Sequence, residues 1–266
     1  MIVRTWNLFH GNTSPPGRRA YLREMVELVT ADRPGIVCLQ EVPAWALDEV
    51  GTWAGMRAVG DRTRRPRLPV LGRRITSLHA GLFRSGLHGQ GNVILLQPDV
   101  TVRERKVITL NTNVFCEEQG RRLGLDEKLT RWWEAERRIC HTVKIELPNR
   151  TRMLVANLHA TSYDRDPRLP DAELRRATSF VTRQSDLKEV LVIAGDFNVT
   201  RERSQTIHDL THVHPEDTWA GTSASVDHVL VRGAAVTSAR VWPDDERRLG
   251  GKLLSDHAPV EVEIRV

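Results

Sequence analysis

The chain has 266 residues, 40% of them hydrophobic, and 39 Lys and Arg set against 34 Asp and Glu leave a formal charge of +5, enough length for one large or two small domains with a mildly basic surface. No apolar run approaches the ~20 residues of a membrane-spanning helix and the sequence opens in a strand-like segment with no charged-then-apolar leader, which excludes a helical membrane protein and points to a soluble, cytoplasmic monomer. Cys38, Cys116 and Cys140 are odd in number and lack paired or metal-ligand spacing, so they read as packing thiols of a reducing compartment, not as a disulfide framework.

Residues 18–32 read as the first helix, because Leu22, Met25, Val26 and Val29 recur at i, i+3, i+4 and i+7 before Pro34 stops it. A buried strand follows at 36–40, and 44–53, with Trp45 and Leu47, reads as a second helix. Residues 61–74 carry Arg62, Arg64, Arg65, Arg67, Arg73 and Arg74 among Pro66, Pro69 and Gly72. They read as a cationic loop, which either grips a polyanion or is a plain solvated surface. Further strands are expected at 91–97, 102–110, 139–147 and 151–158. The polar, Arg-rich stretch 111–136 resists strand assignment; its Trp132–Trp133 pair could stack on a base, although a helical Trp more often packs on the core. Residues 171–187 place Leu174, Ala177, Phe180 and Val181 on one helical face, and the tail alternates strands at 226–231, 236–241 and 260–266. No repeat or low-complexity linker divides the chain, so a single domain over 1–266 is expected.

The most informative segment is LVIAGDFNVT, residues 191–200, in which an apolar strand runs straight into Gly195, Asp196, Phe197 and Asn198. A carboxylate and a carboxamide two positions apart share one face of an extended segment and can address the same water or phosphate oxygen. Taken alone, Asp and Asn after a strand can simply make a turn. Other strand-like runs end in the same kind of residue: IVRTWN at Asn7, GIVCLQ at Gln40 and Glu41, MLVANLHATS with Asn157, His159 and Thr161, SVDHVLV with Asp227, and LLSDHAPV with Asp256 and His257. Acids, amides and histidines collected at strand ends are how an α/β sheet assembles a site.

The ordered series WN, QE, NLHATS, GDFN, VDHVLV and SDHAPV resembles the endonuclease/exonuclease/phosphatase superfamily, the deoxyribonuclease I-like hydrolases, from Asn7 to His257. The resemblance implies a four-layer α/β sandwich, two packed mixed β-sheets flanked by helices, with a divalent-metal site at one rim. It implies hydrolysis of a phosphodiester with Mg²⁺ or Mn²⁺, the metal held by Glu41 with Asn7 and Asp256 completing the sphere directly or through water. Asp196 would orient or deprotonate the attacking water, and Asn198 would hold the phosphate or the Asp196 carboxylate through its amide. His257, oriented by Asp227, would contact a phosphate oxygen, and His159 would donate to the phosphate or leaving group.

The same site serves DNA nucleases, abasic-site endonucleases, inositol polyphosphate phosphatases and sphingomyelinases, so fold and shared chemistry do not fix the substrate. The only tyrosines are Tyr21, in the first helix, and Tyr163, after NLHATS, where the abasic-site enzymes carry a tyrosine motif between QE and GDFN; His159 instead resembles the other branches. Positive charge and the Arg-rich loop favour DNA as the partner, cut as an endonuclease or exonuclease, although a genome rich in G and C also favours Arg. The alternative is a small or lipid-derived phosphoester, such as an inositol phosphate; an apolar loop for docking at a bilayer is not evident. Lone histidines such as His79, His88 and His208 read as surface or packing groups. His10 and Asn12 lie just past Asn7, Arg137 is a further phosphate neighbour, and GQGNVILL with Asn92 reads as architectural.

Overall fold

The structure, a computed structural model, describes residues 1–63, 69–84, 89–186, 188–212 and 219–266. Two six-stranded sheets form its centre. The first runs in the order β12 (Ala235–Val241), β15 (Val260–Arg265), β1 (Ile2–Asn7), β3 (Ile36–Pro43), β5 (Gln90–Leu96), β4 (Arg57–Arg62). The second runs β10 (Ala220–Ala224), β11 (Asp227–Arg232), β9 (Val190–Asp196), β8 (Arg152–His159), β7 (Ile139–Glu146), β6 (Thr101–Thr109). Within the sheets β1 and β3 are parallel, as are β8 and β9, while the remaining neighbours are antiparallel, so both sheets are mixed. A small sheet joins β13 (Arg248–Leu249), β14 (Lys252–Leu254) and β2 (Thr13–Ser14).

Strand side chains alternate between faces, and here each face has its own apolar partner. Val3, Ile36, Cys38 and Ile94 of the first sheet meet Val143, Val155, Val192 and Val229 of the second in the central core. The opposite face, with Trp6, Val37, Leu39 and Val93, packs on Met25, Val26 and Val29 of helix α1 (Leu22–Thr30) and Val50 of α2 (Val50–Ala54). Leu154, Leu158, Leu191 and Ile193 on the outer face of the second sheet pack on Leu174, Ala177 and Val181 of a long helix, Arg168–Gln184, and on Ile207 of another, Gln205–His212. Helix, sheet, sheet, helix is the expected four-layer sandwich. The three thiols are free and fully buried in these layers, where burial pushes each pKa up, that of Cys140 to about 12.

Helix α3 (Pro69–Leu78), followed by α4 (Ala80–Phe83), begins within the latter part of the expected cationic loop, whose Arg64, Arg65 and Arg67 lie outside the described residues, as does His88. Arg62 closes β4, a strand not expected from the sequence. The stretch 111–136 is two helices, α5 (Asn113–Leu123) and α6 (Glu127–Ala135). The local chemistry explains both: Thr112 caps α5 by accepting from Phe115 N, Gly124 ends it at φ +68°, and Asp126 caps α6 by accepting from Leu129 N at 2.7 Å. The 44–53 segment is helical only from Val50, the residues before it forming turns. Keeping the numbering, Arg168–Gln184 is α7 and Gln205–His212 is α8. Among the described residues no helix is long and apolar enough to cross a membrane.

Candidate active site

The faces that make the central core turn polar at one end of the strands. Along β1 the inward positions run Val3, Thr5, Asn7; along β8, Met153, Val155, Asn157, His159; along β9, Val190, Val192, Ala194, Asp196; and Asp227 begins β11 on the same side as Val229. The period of two that buries the valines therefore carries these polar groups to one rim. Beneath them, Gln40 Nε2 donates to Asn157 Oδ1 at 2.8 Å and to Thr5 Oγ1 at 3.0 Å, and Asn157 Nδ2 donates to the carbonyls of Leu39 and Val93. This crosspiece ties one sheet to the other, so Asn157 and Gln40 support the rim rather than line it.

Glu41 reaches the rim by a local departure from strand geometry. Leu39 pairs with Val93 and Val42 with Gly91, leaving Gln40 and Glu41 opposite Asn92 alone, and Glu41 has φ +53°. This bulge re-aims the side chain that strict alternation would send to the other face. Its Oε2 lies 2.8 Å from His10 Nε2, and Oε1 lies 3.9 Å from His159 Nε2. Burial by itself raises the Glu41 pKa, but His10, His159 and Arg138 hold it well below the usual carboxylate range. Phe9, His10, Asn198 and Ser255 also have positive φ, so backbone strain gathers around the hollow.

Asp196 sits at the centre, 2% exposed. Asn7 Nδ2 donates to its Oδ2 at 2.9 Å, and the backbone N–H of Asn198 to its Oδ1 at 3.0 Å. Asn198 thus meets Asp196 by a turn and through its backbone, not by extended alternation; its side-chain amide instead donates to Ala160 O at 2.9 Å. Burial, then the neighbouring Asp227, pushes the Asp196 pKa up. Gly195 allows this approach, since at φ +144° a Cβ would lie 1.9 Å from Leu158 O.

Asp227 and His257 pair across thirty positions, with His257 Nδ1 2.6 Å from Asp227 Oδ2. His257 Nε2 lies 3.9 Å from both Asp196 Oδ2 and Asp256 Oδ1. Burial lowers the His257 pKa, but Asp227, Asp196 and Asp256 outweigh it and carry it up to about 10, so the imidazole holds its second proton at neutral pH. The segment is braced by groups the sequence reading did not single out. Arg247 Nη1 donates to the carbonyls of Leu254, Ser255 and His257, Trp6 Nε1 donates to His257 O, and Ser255 Oγ donates to Asn7 O.

Arg138 also reaches the hollow, though the sequence did not single it out. It is 6% exposed, and its Nη1 lies 2.9 Å from His159 Nε2 and 3.2 Å from Nδ1. Burial first, then Arg138, pushes the His159 pKa well below its ordinary value, so the ring is neutral and Arg138 is the permanent cation here. His159 Nε2 is also 3.6 Å from Asp196 Oδ2. Arg137, named from the sequence, instead points to Thr109 Oγ1 and Thr63 O and is exposed. His10 does reach the hollow, whereas Asn12 is buried against Phe9 O and Ser255 N. Trp133 is core, with Nε1 2.5 Å from Glu173 Oε1; Trp132 is 46% exposed and rests against Tyr163.

Among the described residues one cluster of acids and histidine lies close enough to hold a cation. Asp196, Asp227 and His257 offer atoms within 4.8 Å of one another. In that set both Asp196 oxygens already accept hydrogen bonds and a protonated His257 has no lone pair to give. Glu41, by contrast, is strongly anionic, its Oε2 facing His10 Nε2 at 2.8 Å; Asn7 Oδ1 accepts from Phe9 N; Asp256 is half-exposed at the mouth. All three are hard oxygen donors, the ligand chemistry that suits Mg²⁺ or Mn²⁺.

The family profile described as Endonuclease/Exonuclease/phosphatase family matches residues 5–257. Among solved structures, an endonuclease/exonuclease/phosphatase from Beutenbergia cavernae DSM 12333 is 19% identical with a TM-score of 0.68, covering 100% of this chain and 71% of that one. One from Bacteroides vulgatus is 14% identical with a TM-score of 0.68 over 100% and 98%, and a humanized D. rerio TDP2 is 12% identical with 0.66 over 100% and 99%. At such identities the likeness concerns the fold. No curated protein sequence matches.

Proposed function

The chain belongs to the endonuclease/exonuclease/phosphatase family of hydrolases, and on that premise we propose that it is a Mg²⁺- or Mn²⁺-dependent phosphodiester hydrolase acting on nucleic acid, DNA foremost. The observation that carries this reading is the convergence on one hollow of a buried, hydrogen-bonded Asp196, a protonated Asp227–His257 pair and the Arg138 cation. Because those groups come from Asn7 through His257, a single domain is part of the proposal.

In this reading Asp196 is held by Asn7 and Asn198 so that it can orient the attacking water and take its proton, a task its raised pKa favours. His257 presents Nε2–H to a phosphate oxygen, its tautomer set by Asp227. His159, neutral beside Arg138, donates its remaining N–H, and Arg138 offsets charge gathering on the phosphate. Asn198 sets the Asp196 turn. Glu41, Asn7 and Asp256 would hold the divalent ion, which when bound neutralises phosphate charge.

One observation favours the second reading, a small or lipid-derived phosphoester. Leu78, Leu82 and Phe83 are exposed on α3 and α4, and Leu82 and Phe83 line a cavity of about 450 Å³ that His10 also borders. The test is hydrolysis of supercoiled plasmid, inositol phosphates, a phospholipid-derived diester and a chromogenic diester by wild type and Asp196→Ala, with Mg²⁺, Mn²⁺ or chelator. Metal-dependent nicking that vanishes in the variant is expected; turnover of only the small or lipid substrates overturns the nuclease reading.

A further inference from the structure

On the outer layer α5 and α7 run antiparallel, and Phe115 and Cys116 of α5 share an apolar cluster with Leu169 and Ala172 of α7. Arg168 Nη1 donates to Leu123 O at the end of α5, and Arg176 Nη1 donates to Leu110 O and Thr112 Oγ1 at its start, each at 3.2 Å. Between the helices lies a trench of about 540 Å³. Its α7 wall presents Arg175, Arg176, Ser179 and Arg183, the stripe that on an amphipathic helix facing another helix would be apolar. Phe115, Gln119 and Arg122 form the α5 wall.

Some arginines of the chain bond only neutral oxygens, as Arg137 and Arg203 do. Others, such as Arg4, Arg105, Arg168, Arg240 and Arg247, each pair with a carboxylate. In the trench only Arg122 does so, with Glu118 at 2.7 Å. Arg175 has Gln119 Oε1 at 3.4 Å, Arg176 lies 4.5 Å over the Phe115 ring, and Arg183 forms no ion pair or hydrogen bond among the described residues. Three like charges in one cleft repel unless an anion joins them, and a planar guanidinium matches phosphate oxygens.

Arg175 and Arg183 are separated by roughly 12 Å along α7 at 1.5 Å per residue. One strand of duplex DNA presents a phosphate about every 3.4 Å of axis, so roughly three or four phosphates match that length. The trench is also tied to the hollow: Glu173, on α7 next to this stripe, accepts from Thr161 N and Oγ1 at 2.7 Å, two residues beyond His159. We propose that the trench is an exosite for the phosphate backbone of a nucleic-acid substrate, contacted by Arg175, Arg176 and Arg183 while another phosphate of the same molecule occupies the hollow. The inference rests on the nucleic-acid reading above.

The test compares wild type with Arg175→Glu/Arg183→Glu, both exposed positions, and with the milder Arg175→Gln/Arg183→Gln. Binding of a fluorescein-labelled duplex is followed by anisotropy in chelator across a salt series, beside plasmid nicking and hydrolysis of bis(p-nitrophenyl) phosphate with metal. The Glu variant should bind at least ~10-fold more weakly, with a salt slope lower by about 2 and the Gln variant intermediate, while hydrolysis of the small diester is unchanged. Unaltered affinity and slope alongside intact nicking would overturn the exosite and leave the nuclease reading standing. Small-diester hydrolysis by a wild type that neither binds nor nicks DNA would overturn both.

Discussion

The Asn7 amide donates to Asp196 Oδ2 at 2.9 Å, so β1 of one sheet and β9 of the other meet on a single carboxylate. Asp196 is buried and its partners are neutral donors, which makes it the group best placed to handle a water proton. Asp196→Ala is expected to lower kcat on a phosphodiester by about 10²–10⁴-fold with an unchanged circular dichroism spectrum. Near-normal turnover would remove Asp196 from the chemistry.

Glu41 should decide metal affinity rather than proton transfer, because its carboxylate stays ionised. Chelator should abolish hydrolysis and added Mg²⁺ or Mn²⁺ restore it. In Glu41→Gln the metal concentration for half-maximal activity should rise by at least ~10-fold, and titration calorimetry should show the same weakening. Equal metal dependence in both proteins would assign the ion to other donors.

His257 provides a pH test with a definite sign. Its pKa rises from 6.5 to about 10 in the folded protein, chiefly through Asp227 acting against burial. The stability this contributes is complete below 6.5 and is lost as pH climbs through about 10. Urea unfolding of the metal-free protein between those values should show declining stability, and Asp227→Asn should flatten the decline and move the alkaline limb of activity to lower pH. A slope identical in both proteins would contradict the pairing.

At acid pH the sign reverses for His228. Burial lowers its pKa to about 4, and Nε2 lies 2.8 Å from Val199 O while Nδ1 lies 2.8 Å from Ser223 Oγ. A carbonyl only accepts, so Nε2 carries the proton and the ring is neutral. The unfolded chain takes up a proton below 6.5 and the native state does not until about 4, so stability falls with pH across that window by roughly 3 kcal/mol. His141 behaves in the same direction, its pKa also lowered to about 4. His228→Gln should therefore reduce the acid-side slope, measured by thermal unfolding at stepped pH.

Gly195→Ala should cost far more than Gly250→Ala. The first places a Cβ 1.9 Å from the Leu158 carbonyl oxygen, backbone that cannot step aside; the second, at φ +57°, meets nothing within 4 Å. A loss above ~4 kcal/mol is expected at Gly195 and about 1 kcal/mol at Gly250. Similar melting temperatures for the two variants would refute the close approach of β8 and β9.

The strands and their rim residues were legible because burial on both faces writes uninterrupted apolar runs, such as Val190 through Ala194, that stop at a polar group. The Asp227–His257 pair was legible only through family resemblance, since nothing local joins residues thirty apart. What escaped was chemistry of a different kind. Thr112, Gly124 and Asp126 are ordinary cap signals that Arg-rich surroundings obscured. Arg138 follows Glu136 and Arg137 in a run of charge, and only tertiary packing distinguishes the buried guanidinium from its solvated neighbour. The Glu41 bulge has no sequence mark, because it depends on Asn92 in another strand.

The pairing of β1 with both β3 and β15 has a consequence in time. Ser255, whose hydroxyl holds the Asn7 carbonyl, leaves the ribosome 248 residues after Asn7, and His257 follows it. Strand β1 must wait for its neighbour β15, a contact of very high sequence separation. A nascent chain consequently carries Glu41 and Asp196 without the imidazole or the brace that completes them. Hydrolytic competence would thus arrive as one late event, and a chain stopped short of Ser255 would be silent however well its earlier layers had packed.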